Sequence, residues 1–544
     1  MGLYILDPFG LVSLIYQCVQ VLIFYCFAPR LPSQRPRQKP LGHVAVIGAG
    51  ITGVSTASHL IGHGFEVTLF EASSEIGGIW SRVNSTSGLQ INSIMYRFHP
   101  AVKWGKGYPR RDEILHNTEK IWEMYDLKQR TRFNCKITSV KRHSSSTDPA
   151  EGGHARWILN DKEDEVFDGL VVCVGTCGKP KKLSLPGEEK FKGEIVHSSE
   201  LDDLDLKGKK VLIVGGGASG IEALELAVEK KADKPTILAR SDKWIIPRLT
   251  LVDVLLGLQP FGRETFLSWI PELLIRKLHY RDLDEKMSPT DGLYTGTPIV
   301  NTSALYDIRK GRADYQRGDV IDVTETGIKF NARKRGQKKG SEGEEVHYEA
   351  DIIVVATGFE KPSIDFLPQD LFPEDYVRPN MYLQVFPVVD SSVLCTNSTI
   401  KDGIGSFGHV HIGIMARSLM VFLMDEDARP RPKHMRLWVD LIRFIKEKSP
   451  AGALDFITYT ELCIFLVSYL FFRASRIKYF FFVTFGLGFW SREGQYDKRG
   501  RAVGEPKFRF SLSKLVPGRK VLEEATEEQR QKQSSNGRVE EKDK

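Results

Sequence analysis

Two glycine triplets carry most of the chemistry open to this chain. Gly48, Gly50 and Gly53 follow the apolar run VAVI, and Gly215, Gly217 and Gly220 follow KVLIV. In each, a strand leads through a GxGxxG turn into a helix. The first glycine of such a turn makes the tight bend, the second lets a pyrophosphate approach the backbone, and the third lets helix and strand pack closely. The helix N-terminus then faces the phosphates with its free N–H groups. Each triplet therefore predicts a dinucleotide site. Glu71 ends the strand after the first triplet, where an acid accepts hydrogen bonds from an adenosine ribose. The matching strand after the second triplet ends in Arg240. An acid there would repel a 2′-phosphate and an arginine pairs with it, so the second site is expected to take NADPH rather than NADH. Lys243 is placed to assist, and Ser219, beside the last glycine, to bond a phosphate or cap the helix.

Such motifs need twisted parallel sheets to hold them. The expected fold is α/β, with two Rossmann-like dinucleotide-binding domains, the second inserted in the first. The chain is long enough for this: 544 residues, 41% apolar and 27% charged, fill two or three ordinary domains. The net charge of +7 is modest and spread along the chain, which argues against nucleic acid as a partner. The seven cysteines form no CxxC pair, which points to a reducing compartment. His409 and His411, in SFGHVHIG, lack a third ligand at zinc-like spacing, so no metal is expected.

The start of the chain is different in kind. Residues 8–29 carry no charge, about the ~20 residues that cross a bilayer as a helix. Arg30, Arg35, Arg37 and Lys39 follow. The expectation is an N-terminal transmembrane helix with the body on the cytosolic side, at the endoplasmic reticulum. Two shorter aromatic-rich runs, 462–472 and 479–490, are broken by Arg473, Arg476 and Lys478; they are expected to touch the membrane, in the interface with those cations snorkelling or as a dipping hairpin, with packing on the body as core the alternative.

Directly after Glu71 comes EIGGIW, with Gly77, Gly78 and Trp80. A strand-end Glu followed by GG and an aromatic resembles the FAD site of two-dinucleotide-domain flavoproteins, and GGxW their monooxygenase branch; Trp80 is placed to flank the flavin. Between the triplets, FKGEIVH is similar to the FxGxxxH fingerprint of class B flavin-dependent monooxygenases, the family of flavin-containing and Baeyer–Villiger enzymes. Those close the motif with an aromatic residue where this chain has Leu201. DGLVVCVGTCGKP and ADIIVVATGFEKP resemble the crossings between their two domains.

The resemblance implies FAD and NADPH as cofactors and O2 as co-substrate. It also implies a flavin C4a-hydroperoxide that oxygenates a small lipophilic substrate at a heteroatom or by hydroxylation. It makes Asn92 the candidate catalytic residue, holding the oxygen adduct. Baeyer–Villiger insertion is the alternative. It would use an Arg in the segment matched here by GTPIVNTS and an Asp at the position of Gln90, and both charges are missing. A pyridine-nucleotide flavin reductase is the other alternative, with Cys173 and Cys177 as its redox pair; a scaffold keeping FAD only as structure is a third reading. The resulting layout is an anchor at 1–30, a linker at 31–42 and an FAD-binding domain at 43–205 and 351–450. An NADPH-binding domain occupies 206–350, a membrane-associated region 451–517 and a disordered tail 518–544.

Overall fold

The computed structural model describes residues 10–32, 40–253, 264–296, 298–377, 379–396 and 411–446. It also describes 463–464, 466–469, 474–487, 489–490 and 508–509. The tail at 518–544, most of the 451–517 region and His409 lie outside these residues.

Two sheets organise the body. The first is wholly parallel, in the order Val393–Leu394, Gly169–Val172, His43–Ile47, Glu66–Phe70, Thr131–Arg132. Its central strands are runs of Val, Ile, Leu and Phe buried on both faces, the pattern of a sheet covered by helices on each side, while the edge strand Thr131–Arg132 is not buried. The helix Ile51–Gly62 is buried along nearly its whole length, because helix His411–Met424 packs on the side away from the sheet. Gly413 permits that crossing: a side chain there would sit 2.7 Å from the His59 ring.

The second sheet runs Glu344–Glu349, Gly327–Ala332, Asp314–Thr324, Asp233–Ala239, Lys210–Val214, Ile352–Val355, Glu194–His197. Its first three strands pair antiparallel and the rest parallel. The expected insertion of one Rossmann-like unit in another is thus seen in the strand order. Its edges differ from the sequence reading. Glu194–His197 and Ile352–Val355, assigned to the first domain, pair in the second sheet. Short strands leave no signal of which sheet they join, since any apolar run of four satisfies either. The polar tracts near 143–153 and 331–345 are hairpin connections, between Val140–Arg142 and Trp157–Leu159 and between Gly327–Ala332 and Glu344–Glu349.

The structure does not show the expected transmembrane helix among the described residues. The N-terminal helix covers Leu11–Phe27, 17 residues, and no helix among the described residues is long and apolar enough to cross a membrane. It lies on the first body. Gln20, fully buried, donates to the Trp104 carbonyl (2.9 Å) and accepts from Trp104 N–H and the Arg97 guanidinium, both at 2.7 Å. Tyr16 meets Ser93 at 3.2 Å. Hydropathy averaged along a helix hides two glutamines on one face.

The described part of the C-terminal runs is also corrected. Arg476 does not snorkel: it is 1% exposed, donates to the carbonyls of Ala428 and Tyr469 and lies over the Tyr469 ring. Tyr479, Phe482 and Val483 belong to the first body's core, while Phe481 and Phe485 stay exposed.

Candidate nucleotide and active site

The first triplet forms a cradle. Gly48 has φ +103° and a side chain there would stand 2.5 Å from the Cys173 carbonyl; one at Gly53 would stand 1.8 Å from the Gly48 carbonyl. These two glycines are demanded by the fold itself. Gly50, the residue capping the helix, is not: its nearest neighbour is the Gly78 Cα at 3.6 Å. Gly77 and Gly78 lie directly against this turn, with Gly77 N–H donating to the Ala49 carbonyl at 3.0 Å. Glu71, 9% exposed, accepts from Ala49 N–H (2.7 Å) on one oxygen and from Ser73 N–H and Oγ (2.8 Å each) on the other. The oxygen bonded to Ala49 accepts only that one bond and retains acceptor capacity for a ribose hydroxyl. Trp80 sits half-buried in the short helix Gly78–Ser81, against the same core.

The second triplet repeats the first. Gly215 has φ +127° and abuts the Ala356 carbonyl, and a side chain at Gly220 would stand 2.0 Å from the Gly215 carbonyl. At Gly217, which caps the helix Ala218–Glu229, a Cβ would meet nothing within 4 Å. Ser219 lies half-buried in that helix's first turn and is not its N-cap. Arg240 follows the strand Asp233–Ala239; its side chain is 77% exposed, with Asp319 at 3.7 Å. Lys243 is exposed. Both cradles therefore have the shape and donors for a dinucleotide, and the second has beside it an exposed guanidinium, held only by the long Asp319 contact.

The crossings lie side by side, with Gly178 N–H donating to Glu360 and Lys181 N–H to Gly358. His197 fastens this junction: its ring bonds Ser199 (2.8 Å) and the Gly358 carbonyl (2.9 Å), a structural task. Leu201, fully buried in the second core, fills the place of the expected aromatic. Cys173 is buried behind the Gly48 turn, its thiol pushed well up by burial and by Cys395, and no disulfide joins any of the seven cysteines. A thiol so enclosed is a poor redox nucleophile.

Residues 84–111 of the first body run along the second. Asn92, 2% exposed, caps a turn with its Oδ1, which accepts from Ile94 N–H at 3.0 Å. Its amide side chain also meets the Tyr108 hydroxyl, and its backbone N–H donates to Asp253 at 2.8 Å. Gln90 donates to Glu222 (2.9 Å) and accepts from Val300 N–H (3.0 Å), so the segment holding Pro298 and Ile299 does face Gln90. It offers a backbone N–H there, with no guanidinium. Arg248 pairs with Glu225 at 3.2 Å, and Asn301 donates to the same carboxylate.

Glu222, Glu225, Tyr108 and Asp253 were not singled out from sequence. The available signal was the spacing of Glu222, Glu225 and Glu229, which share one helix face. Burial pushes the Glu222 carboxyl from 4.5 up to about 7, against the hydrogen bonds of Ser87 and Gln90, with Glu225 raising it and Arg248 lowering it. A pKa raised by folding means stability present in full below about 4.5 and lost as pH rises through about 7. Glu222→Gln is therefore expected to match the wild type near pH 5 and to exceed it at pH 8. The gain is roughly 1–2 kcal/mol once partial exposure is discounted, read as melting temperature against pH. Parallel curves would refute it.

A chain with two dinucleotide cradles on interlocked Rossmann-like sheets, joined by paired crossings, is by class a two-dinucleotide-binding-domain protein. It belongs to the flavin-binding monooxygenase-like family, whose model matches residues 41–407. Human "Flavin-containing monooxygenase 5" is 28% identical over 378 residues, 63% of this chain and 66% of its own length. A "Baeyer-Villiger monooxygenase" of Pseudomonas aeruginosa is 30% identical over 213 residues, 38% of each. The chain thus spans just under two thirds of the flavin-containing relative it matches. Among solved structures, "Oxidized steroid monooxygenase bound to NADP" has a TM-score of 0.58 at 19% identity, covering 75% of this chain and 91% of that one. Cyclohexanone-bound cyclohexanone monooxygenase has 0.58 at 15% identity, covering 77% and 94%. At these identities the likeness is one of fold.

Proposed function

We propose that this protein is an FAD-dependent monooxygenase that uses NADPH and O2 to oxygenate a small lipophilic substrate at a heteroatom or by hydroxylation. The observation carrying this reading is the pair of glycine cradles, the first with room for a side chain at Gly50 beside Gly78, the second open at Gly217 and flanked by exposed Arg240. FAD, once bound and reduced by NADPH, supplies the activation of O2. The chain's own residues bind and orient. Gly48, Gly50, Gly53, Gly78 and Glu71 take the FAD pyrophosphate and ribose, with Trp80 beside it. Gly215, Gly217, Gly220 and Ser219 take the NADPH pyrophosphate, and Arg240 its 2′-phosphate. Asn92, fixed by its own turn, offers its remaining amide N–H to the reacting oxygen. The packed seam at 84–111 keeps water out.

Oxygen and NADPH consumption measured together with product, using a thioether and a lipophilic ketone as probes, test the reaction. Sulfoxide at one O2 per NADPH is the expected result. Ester from the ketone alone would favour the Baeyer–Villiger reading, which the P. aeruginosa relative supports and the uncharged Gln90–Val300 contact opposes. NADPH oxidation without O2 uptake would move the reductase forward. Asn92→Ala is expected to raise peroxide released per NADPH and to cut oxygenation by about 10²-fold, the usual scale for losing one donor to a developing oxyanion. Unaltered coupling would remove Asn92 from the chemistry.

Membrane contact is proposed as interfacial, at the endoplasmic reticulum with the body facing the cytosol. Leu11, Leu14, Ile15, Val19, Leu22 and Tyr25 are exposed on the N-terminal helix, whose Phe27 meets Phe485 at 6.1 Å. Helices docked by one face and apolar on the other lie in the headgroup region. The full chain should float with anionic liposomes, and a Leu14→Glu, Leu22→Glu pair should stay in the supernatant. Equal flotation of both would place the contact elsewhere.

A further inference from the structure

Asn92 is held from outside its own domain. Its backbone N–H and the Tyr108 hydroxyl both donate to one oxygen of Asp253, at 2.8 and 2.9 Å. Asp253 follows Arg248 on the second body and is 5% exposed. Two residues before Asn92, Gln90 is gripped by Glu222, and Ser87 donates to the same carboxylate at 2.8 Å. Glu222 stands two positions after Gly220, on the helix that opens at Gly217. Within the first body the two arms of the segment pair with each other, Leu89 N–H to Pro109 and Ser93 N–H to Gly107, and the N-terminal helix holds it at Ser93, Arg97 and Trp104, while the Asn92 backbone N–H itself is taken by Asp253.

We propose that Asp253, assisted by Glu222, is a positioning residue: the NADPH-binding body sets the place of Asn92 in the FAD-binding body. Four donors of the first body, Ser87 Oγ, Gln90 Nε2, Asn92 N–H and Tyr108 Oη, converge on two carboxylates of the second, and the Asn92 side-chain amide meets the same Tyr108 hydroxyl. Asp253, 5% exposed, takes both of its donors on one carboxylate oxygen, and an ionised acceptor forms stronger and shorter bonds than a neutral one. The consequence is geometric coupling. Movement of the helix that takes the NADPH pyrophosphate pulls on Gln90, and movement of the stretch after Arg248 pulls on Asn92. The functional weight of this rests on the proposed role of Asn92; the positioning itself does not.

The test uses the full chain with FAD. Hydrogen exchange is followed at the Asn92 amide and over residues 87–108, beside the ratio of substrate oxygenated to NADPH consumed. Asp253→Ala removes the acceptor and is expected to speed exchange at Asn92 at least tenfold and to lower the ratio at least threefold. Asp253→Asn keeps an oxygen that can accept from both donors, and is expected to restore most of both. If Asp253→Ala fails to fold, Tyr108→Phe removes one donor while keeping the ring, and a rise in exchange over 90–108 is the expected result. Unchanged exchange in the folded variants overturns the positioning. Faster exchange in Asp253→Ala with an Asn92→Ala variant that couples normally would uphold the positioning and sink the reading of Asn92.

Discussion

Alanine at Gly217 is expected to leave the protein folded and to abolish its use of NADPH, whereas alanine three residues on, at Gly220, is expected to unfold the second body. The two positions belong to one motif but answer to different neighbours. A methyl group at Gly220 would lie 2.0 Å from the Gly215 carbonyl, backbone against backbone, and cannot be relieved by a side-chain rotation. Overpacking of that severity costs about 3 kcal/mol or more. At Gly217 the same methyl meets nothing within 4 Å, so the fold has no need of glycine there. What needs it is the ligand, whose pyrophosphate would occupy the space. The ligand-free melting temperature of Gly217→Ala should stay within a degree or two of wild type while NADPH affinity falls at least about 100-fold, some 2.7 kcal/mol. The first cradle predicts a parallel pair, with Gly50→Ala losing FAD and Gly53→Ala losing the fold. Tight NADPH binding by Gly217→Ala would mean that the open space serves no pyrophosphate.

Arg240→Ala is expected to weaken NADPH by roughly 10- to 100-fold and to leave NADH where it was. A charge-assisted hydrogen bond between guanidinium and phosphate is worth about 1.5–3 kcal/mol, and Arg240 has little else to do. Its side chain is 77% exposed and its contact with Asp319 is long, 3.7 Å. Its removal therefore leaves no buried group unpaired. Arg240→Glu should go further, reversing the preference by repulsion. Both effects should shrink at high salt, because an exposed pair is screened. Steady-state flavin reduction with each nucleotide at two ionic strengths reads all of this. An equal loss for NADPH and NADH would show that Arg240 supports the fold rather than the 2′-phosphate.

The sequence alone determined the parts of this protein that act locally. A GxGxxG turn between a strand and a helix has one backbone solution, because the glycines are selected by contacts within a few residues of each other, so both cradles and Glu71 could be read from spacing. Arg240 could be read too, since a strand end is a fixed distance from the turn it follows. Relations across the chain were not legible. Whether Ile352–Val355 joined the first sheet or the second, whether the N-terminal helix docked on the body, and whether Arg476 reached water or the carbonyls of Ala428 and Tyr469 all depended on partners remote in sequence. Gln20 illustrates it best: one glutamine in an apolar run says little until Trp104 and Arg97 are seen to meet it. Asp253 and Glu222 were invisible for this reason as well. A carboxylate on the surface of one domain becomes a buried acceptor only when a second domain covers it, and tertiary structure alone decides what the cover brings.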